Sequence, residues 1–480
     1  MQDFLKTKER MKRVYILVVL LGAWNTVFSQ DNCEVESKFQ VEAKTLIGSK
    51  GKLPFWLWVN QMGRIEQNED LSQNFELSYK NNSTTPHSGL SYSYGGRVNA
   101  NISADQDVDL NELFGGLIYK KIFLKVGKWN DIQLFDGLSS SNKNLISSRN
   151  ARSYPKLRVG LNDFVGRKFR IKAFWEEGLL NDKRWVDDTR LHHKALYCQF
   201  GKIENLQITF GGEHLVMWGG RSTSEGELPS SFSDYLRVIR GKSGDNNSLA
   251  IDQANVMGNH LGVYNLSIEK SFISYDIEFY LSHPFEDNSG MELDNYKDNL
   301  YGIHFKNNKK ESVLQNVVLE HLYSKNQSGK QHLVKKSGTD VATGRGRDRY
   351  YNHEVYSSGF TYHGMVMTSP LFGPVQYNED GIPIQITNNL ISAWHLGMNG
   401  YLNEQLKWEL KLTHSKNGGT MDVYYPSNRS QFSSLLGFSY QCPKLPMTLK
   451  LDMALDKGEL WDDGVDTTRF GGAFTIAYTL

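Results

Sequence analysis

Between Leu445 and Asp456 the chain reads LPMTLKLDMALD, and from Met447 onward the side chains alternate. Met447, Leu449, Leu451, Met453 and Leu455 fall on one side. Thr448, Lys450, Asp452, Ala454 and Asp456 fall on the other. A two-residue period is that of an extended strand, whose successive side chains point to opposite faces. One face here is purely aliphatic and the other carries three charges, so the strand separates grease from water.

The pattern recurs. In SFISYDIEFYLSH, Ile273, Tyr275, Ile277, Phe279 and Leu281 oppose Ser274, Asp276, Glu278, Tyr280 and Ser282. RKFRIKAFWEE (167–177), QLKWELKLTHS (405–415) and the C-terminal GGAFTIAYTL (471–480) follow the same rule. A soluble antiparallel sheet also alternates. In a membrane, however, a Lys or Arg turned toward lipid costs roughly 2–4 kcal/mol at mid-bilayer, and a one-residue slip would turn a whole charged set outward. The charged faces are therefore expected to look into a wet lumen and the aliphatic faces into lipid.

Three features favour the membrane reading. First, MQDFLKTKERMKR is basic, VYILVVLLGAW is apolar and TVFS precedes Gln30, which is the pattern of a secretory signal peptide ending at Ser29. Removing its five Lys/Arg and two Asp/Glu takes the formal charge from +1 to −2, which leaves no nucleic-acid footprint. Second, the last strand ends on large alternating apolar residues, as signals read by barrel-assembly machinery do. Third, the connections differ in length. Short ones fall at 203–205, 269–271, 307–311, 403–405 and 442–446, and long ones at about 214–259, 283–298, 326–355, 416–432 and 457–467. Short turns on one side and long loops on the other mark outer-membrane barrels. No later apolar run of about 18 residues offers a helical span. The mean hydropathy of −0.49 suits a barrel in which every second residue meets water.

The fold class expected is all-β: a large antiparallel transmembrane β-barrel formed by 30–480 as one domain, after a signal peptide at 1–29. Early strands are read near 54–65, 71–80, 88–102, 108–119, 121–129, 156–162, 167–176 and 193–201, giving roughly 16–20 in all. Short helices are expected in 30–50 and in parts of 130–156 and 214–258. With a crossing between the links that end at 355 and begin at 367, the count closes only if 367–390 adds one more. LFGPVQY and IPIQITN are its candidates. Cys33, Cys198 and Cys442 form no disulfide framework.

Four stretches carry more than alternation. They are LPFWLWVNQMGRI (53–65), LSSSNKNLISSRNARSYPKLRVG (138–160), FGGEHLVMWGGRSTSEGELPSSFSDYLRVIRGKSG (210–244) and DRYYNHEVYSSGFTYHG (348–364). In this order the chain resembles the capsule assembly Wzi family over nearly all its exported length. The resemblance implies an outer-membrane β-barrel of about 18 strands, with short helices at the periplasmic side or in the lumen. It also implies a non-catalytic, lectin-like role in which the protein binds and organises or anchors capsular or other surface polysaccharide. The implied setting is the outer membrane of a Gram-negative cell, with outer-membrane lipid and lipopolysaccharide as neighbours.

The residues are compatible with that role. Trp218, Arg221, Glu225, Asp234, Tyr235 and Arg237 lie in a long Gly-rich segment. Arg345, Arg347, Tyr350 and His353 lie in TGRGRDRYYNH. Sugar recognition needs planar hydrogen bonds to hydroxyls and an aromatic face, and Arg adds two-pronged pairing to uronic-acid carboxylates. The alternative for the first group is a buried polar network that wedges the lumen shut. For the second it is a solvated basic loop or a lipopolysaccharide contact. FWLW (55–58) reads as packing or an interfacial belt. No G-x-S-x-G, H-E-x-x-H or P-loop occurs, and His192–His193 lacks nearby partners. Neither enzyme activity, a cofactor nor a metal is expected. Two rival readings are a passive porin or oligosaccharide channel, and an outer-membrane hydrolase or deacylase.

Overall fold

The computed structural model describes residues 34–68, 70–85, 89–103, 106–244, 256–329, 333–336, 339–342 and 348–480. The expected signal peptide, Cys33, Arg345 and Arg347 lie outside the described residues. Eighteen antiparallel strands close into a barrel. They are β1 (Glu34–Ile47), β2 (Leu71–Thr85), β3 (Leu90–Ile102), β4 (Gln106–Tyr119), β5 (Ile122–Lys128) and β6 (Lys156–Leu161). Next come β7 (Phe169–Leu180), β8 (Thr189–Lys202), β9 (Leu206–Trp218), β10 (Asn259–Ser271), β11 (Tyr275–Phe285) and β12 (Asn299–Asn307). The last are β13 (Asn316–Tyr323), β14 (Ile391–Tyr401), β15 (Leu406–Gly419), β16 (Tyr424–Gln441), β17 (Met447–Gly458) and β18 (Thr467–Thr479). Each pairs with the next, and β1 pairs with β18 from Gln40↔Thr479 to Ile47↔Gly472. Closure satisfies every edge, which is what a sheet in hydrocarbon requires.

The wall faces as the alternation demands. On β17, Leu451 is 47% and Met453 45% exposed, while Asp452 and Asp456 are 3% and 1% exposed. On β18, Phe474, Ile476 and Tyr478 are exposed, and Ala473 and Thr475 are buried toward the lumen. On β11, Ile277 and Phe279 look out, and Tyr280 and Ser282 look in. The apolar belt is thus on the outside and the charged set within.

Two sequence assignments exchange places. Residues 30–50, read for helices, supply β1, and 54–65, read for a strand, supplies the helix Phe55–Trp58, α1. In β1 the small Ser37, Ala43 and Thr45 dilute the outward apolar rhythm, although Val41 and Ile47 keep it. FWLW has no rhythm because all four side chains are buried.

The membrane crossing expected in 367–390 does not exist. The described residues between 324 and 390 belong to one long connection between β13 and β14, which pair directly. Val375–Tyr377 pairs only with Pro383–Ile386, and Thr361–Tyr362 only with Met365–Val366. The implied crossing at 356–366 and its compensating partner are both absent, so the parity closes without them. Likewise 416–432 is no long link: β15 and β16 run on to a tight connection at 420–423. The longest connections, 48–70, 129–155, 219–258 and 324–390, all leave the same end of the barrel.

Three of these loops turn inward. Leu53, Phe55, Trp56, Leu145, Ile146, Phe360 and Tyr362 join wall residues such as Leu261 and Leu300 in one buried apolar cluster. Each such side chain withdrawn from water contributes roughly 1.5–3 kcal/mol. The lumen therefore holds a packed core built from loops.

Candidate functional site

The site is the cup at the long-loop end, and its floor is tied to the barrel wall. Phe55 N–H donates to Asp456 Oδ2 on β17 at 2.8 Å, so a wall carboxylate satisfies one of the free amides at the start of α1. Trp56 Nε1 donates to Thr413 Oγ1 at 3.2 Å, and its ring centroid lies 5.0 Å from that of His395. The second loop is held by Glu320 on β13. That carboxylate accepts from Ser139 Oγ at 2.6 Å, from Ser140 N–H at 2.8 Å and from Ser140 Oγ at 2.5 Å. His395 Nε2 donates to Leu138 O at 2.7 Å, and Asn144 Nδ2 donates to Glu213 Oε1 at 2.7 Å. Glycine at 397 on β14 makes room: a Cβ there would stand 2.4 Å from the Leu138 oxygen.

The loops also hold one another. Met62 N–H donates to Arg149 O at 2.8 Å, Ser148 N–H to Met367 O at 2.9 Å, and Asn150 Nδ2 to Val366 O at 2.9 Å. Arg184, fully buried, donates to Asp182 Oδ1 and Thr361 O, both at 3.2 Å. Asp298, just before β12, accepts from Asn326 N–H at 2.8 Å, Gln327 N–H at 2.6 Å and Tyr350 O–H at 2.9 Å. Burial outweighs these donors and pushes the Asp298 carboxyl up to about 6.

Above this floor lies a cavity of about 670 Å³. Trp58, Phe372 and Trp461 form its apolar side, with Phe55 stacked on Trp461 at 5.7 Å beneath. Tyr377, 48% exposed, is its open aromatic face, and its hydroxyl donates to Gly364 O at 3.0 Å. Lys52, Arg152 and Lys183 oppose Glu66, Asp107 and Asp182, so formal charges balance. Arg152 pairs with Asp107 at 3.1 Å and Asp109 at 3.5 Å and also donates to Gly63 O at 3.1 Å. Lys52 donates to Trp461 O at 2.7 Å. Burial, and then Arg152, lower the His363 imidazole from its ordinary value. The cup presents paired charges and amide-type groups beside an aromatic face, with no excess of either sign.

A second space of about 520 Å³ lies in the lumen on the far side of the loop 129–155, lined by Lys143, Arg158, His193 and Glu213 among others. The loop core stands between the two spaces.

The residues singled out in the sequence do not assemble. Glu213 points into the lumen, so Trp218, five residues on, points outward with Val216 and His214. Trp218 packs with Val238 and Met257 on the outer face of the wall. The helix Phe232–Val238, α2, lies on that face: Tyr235 O–H donates to Glu177 Oε1 at 2.5 Å and accepts from Trp175 Nε1 at 3.1 Å. Trp218 and α2 therefore do not wedge the lumen, and α2 is not at the periplasmic rim, while Leu228 of the same segment joins the buried cluster inside. Asp234 caps α2 with Ser231, Arg237 donates to Ser243 O at 3.2 Å, and Arg221 is exposed beside Glu227. Glu225 is exposed. Tyr350 is wholly buried on Asp298, and His353 Nδ1 accepts from Val355 N–H at 3.2 Å. Burial, and then Arg349, lower the His353 imidazole to about 4. His192 and His193 face opposite sides, on Glu177 at 2.7 Å and Glu213 at 2.8 Å. Arg152 and Tyr377, which line the cup, were not singled out. Arg152 stands within the 138–160 stretch, and its burial beside Asp107 depends on a contact 45 residues away.

No family model matches this chain, and no curated protein matches it. Its fold is similar to that of Escherichia coli Wzi, described as an outer-membrane, carbohydrate-binding β-barrel involved in group 1 capsule assembly. The TM-score is 0.53 and the identity 13%, over 92% of this chain and 83% of Wzi. Pseudomonas aeruginosa OprD gives a TM-score of 0.47 at 8% identity over 93% of this chain and 95% of OprD. Pseudomonas aeruginosa OpdL gives 0.48 at 9% identity over 93% of this chain and 99% of OpdL. The chain has the outer-membrane type of closed β-barrel.

Proposed function

We propose that this protein is an outer-membrane barrel that binds surface polysaccharide at its external cup, after export behind a cleaved signal peptide. The observation that carries the reading is the cup itself. An aromatic face and six formally charged side chains of balanced sign sit over a lumen packed with loops. A passive channel needs a continuous wet path, and the loop core is built where that path would run. Hydroxyl-rich chains suit paired Arg–carboxylate groups, which direct both donors and acceptors outward, and Tyr377 offers a face for the C–H side of a sugar ring. Wzi is described as carbohydrate-binding and involved in capsule assembly, and a capsular polysaccharide fits the chemistry of this cup. Of the earlier candidates, Arg221 and Glu225 stand free enough at the surface to extend the contact. Trp218, Asp234, Tyr235, Arg237, Tyr350 and His353 act, in this reading, through the scaffold.

The test is equilibrium binding of size-matched neutral and uronic-acid polysaccharides to detergent-solubilised full chain, with Tyr377→Ala and Arg152→Ala. Each substitution is expected to weaken binding about tenfold, the loss of one stacking or charge-assisted contact. Unchanged affinity in both variants overturns the cup as the site.

A further inference from the structure

The outer face of the wall carries a feature that glycan binding does not use. Between α2 and strands β7–β10 lies a groove of about 930 Å³. Its lower part is apolar: Leu196, 54% exposed, and Tyr264 continue the belt of side chains that faces away from the lumen. Ala173 and Gly212 flank Leu196 on the neighbouring strands, and their small side chains make the concavity. Its upper part is polar. Lys194 Nζ donates to Ile239 O just past α2, and the exposed Arg240 follows. His214 Nε2 meets His260 Nδ1 at 2.9 Å, and His260 Nε2 donates to Met257 O at 2.8 Å, so the imidazoles are spent on each other.

Two carboxyls also border the groove. Glu286 accepts from Tyr351 N–H at 2.7 Å, and burial followed by Asp348 raises its pKa well above the ordinary range. Asp287 remains. Glu213, also at this border, points inward to His193. The groove thus runs from hydrocarbon at its lower end to a rim that carries Lys194 and Arg240 side by side past α2, which is the order of an acyl chain and an anionic headgroup.

We propose that this groove holds an acyl chain of a phosphate-bearing membrane lipid, with Lys194 and Arg240 on the phosphate and Leu196 and Tyr264 along the chain. This rests on the membrane location proposed above. The occupant is a lipid because the groove opens within the apolar belt and its charge sits only at the rim.

The test folds the full chain into nanodiscs of equimolar phosphatidylglycerol and phosphatidylcholine with matched acyl chains. Lipid retained after transfer to detergent is counted by native mass spectrometry. Retained phosphatidylglycerol in clear excess is expected. The double variant Lys194→Gln/Arg240→Gln is expected to lower that preference about 30-fold, two headgroup charges' worth. Ala173→Trp, which fills the concavity from the outside, is expected to abolish retention while heat-modified gel mobility shows a folded barrel. Equal retention of the two lipids, an unchanged double variant, displacement by inorganic phosphate, or a second copy of the chain found at this face each overturns the proposal. Failure of the wild-type chain to enter nanodiscs overturns the membrane reading as well, and so is told apart from a lipid-indifferent barrel.

Discussion

Glu320, on a strand of the wall, accepts the backbone N–H of Ser140 at 2.8 Å across 180 residues of sequence. The same carboxylate takes the hydroxyls of Ser139, Ser140 and Tyr280. An acceptor group with four donors is a strong tie, and it binds loop 129–155 to the barrel. Glu320→Ala removes bonds worth roughly 1.5–3 kcal/mol each and leaves buried donors unpaired. The expected outcome is a loop that limited proteolysis cuts within 129–155, while the wild-type loop resists.

Gly397 tests the same contact by sterics. Gly397→Val drives a side chain against the Leu138 carbonyl, and overpacking of this kind costs roughly 1–3 kcal/mol. Gly115→Ala, where a Cβ meets nothing within 4 Å, is the control and is expected to shift stability by less than about 0.5 kcal/mol. Urea unfolding of the lipid-folded protein reads both.

The direction of the wall is tested on β17. Leu451→Arg places a cation on the lipid side and is expected to cost roughly 2–4 kcal/mol if it lies near mid-bilayer. The yield of folded barrel in vesicles, read by heat-modified gel mobility, should fall. Thr448→Arg, on the other face near the end of the strand, should fold nearly as well as wild type.

Asp298 predicts a pH dependence. Its folded pKa, about 6, lies above its ordinary value near 3.8 because burial disfavours the charge. Between those values the folded state binds more protons than the unfolded one, so stability falls as pH rises from about 4 to about 6. Loop 324–390, whose Asn326 and Gln327 amides rest on Asp298, should become more protease-sensitive over that window. Asp298→Ala should be sensitive throughout it, and its residual slope there should be smaller.

The wall was largely legible from the chain because strand periodicity is local. Leu451, Asp452, Phe279 and Tyr280 could be assigned a face from their immediate neighbours alone. What failed were segments whose partners are far away. FWLW carries no period because it is buried on every side, and LFGPVQY and IPIQITN look like strands but pair only with each other, through Val375–Tyr377 and Pro383–Ile386. The candidate residues failed for a related reason. Trp218 and Asp234 have the right chemistry, yet only the register of β9 shows that Trp218 faces outward. Only the start of α2 shows that Asp234 is a cap. Nothing near Tyr377 in the sequence reveals that Trp58 and Trp461 stand beside the same cavity.

Conductance across a planar bilayer tests most directly whether the loops own the lumen. The full chain, inserted from detergent at neutral pH, is expected to give an electrically silent membrane, and a chain with 324–390 replaced by a short Gly-rich linker should give stable openings. Steady openings from the unaltered chain, of the same size as those from the shortened one, would mean that ions pass freely where Phe55, Ile146 and Phe360 are packed together, and the account of a filled barrel would be wrong.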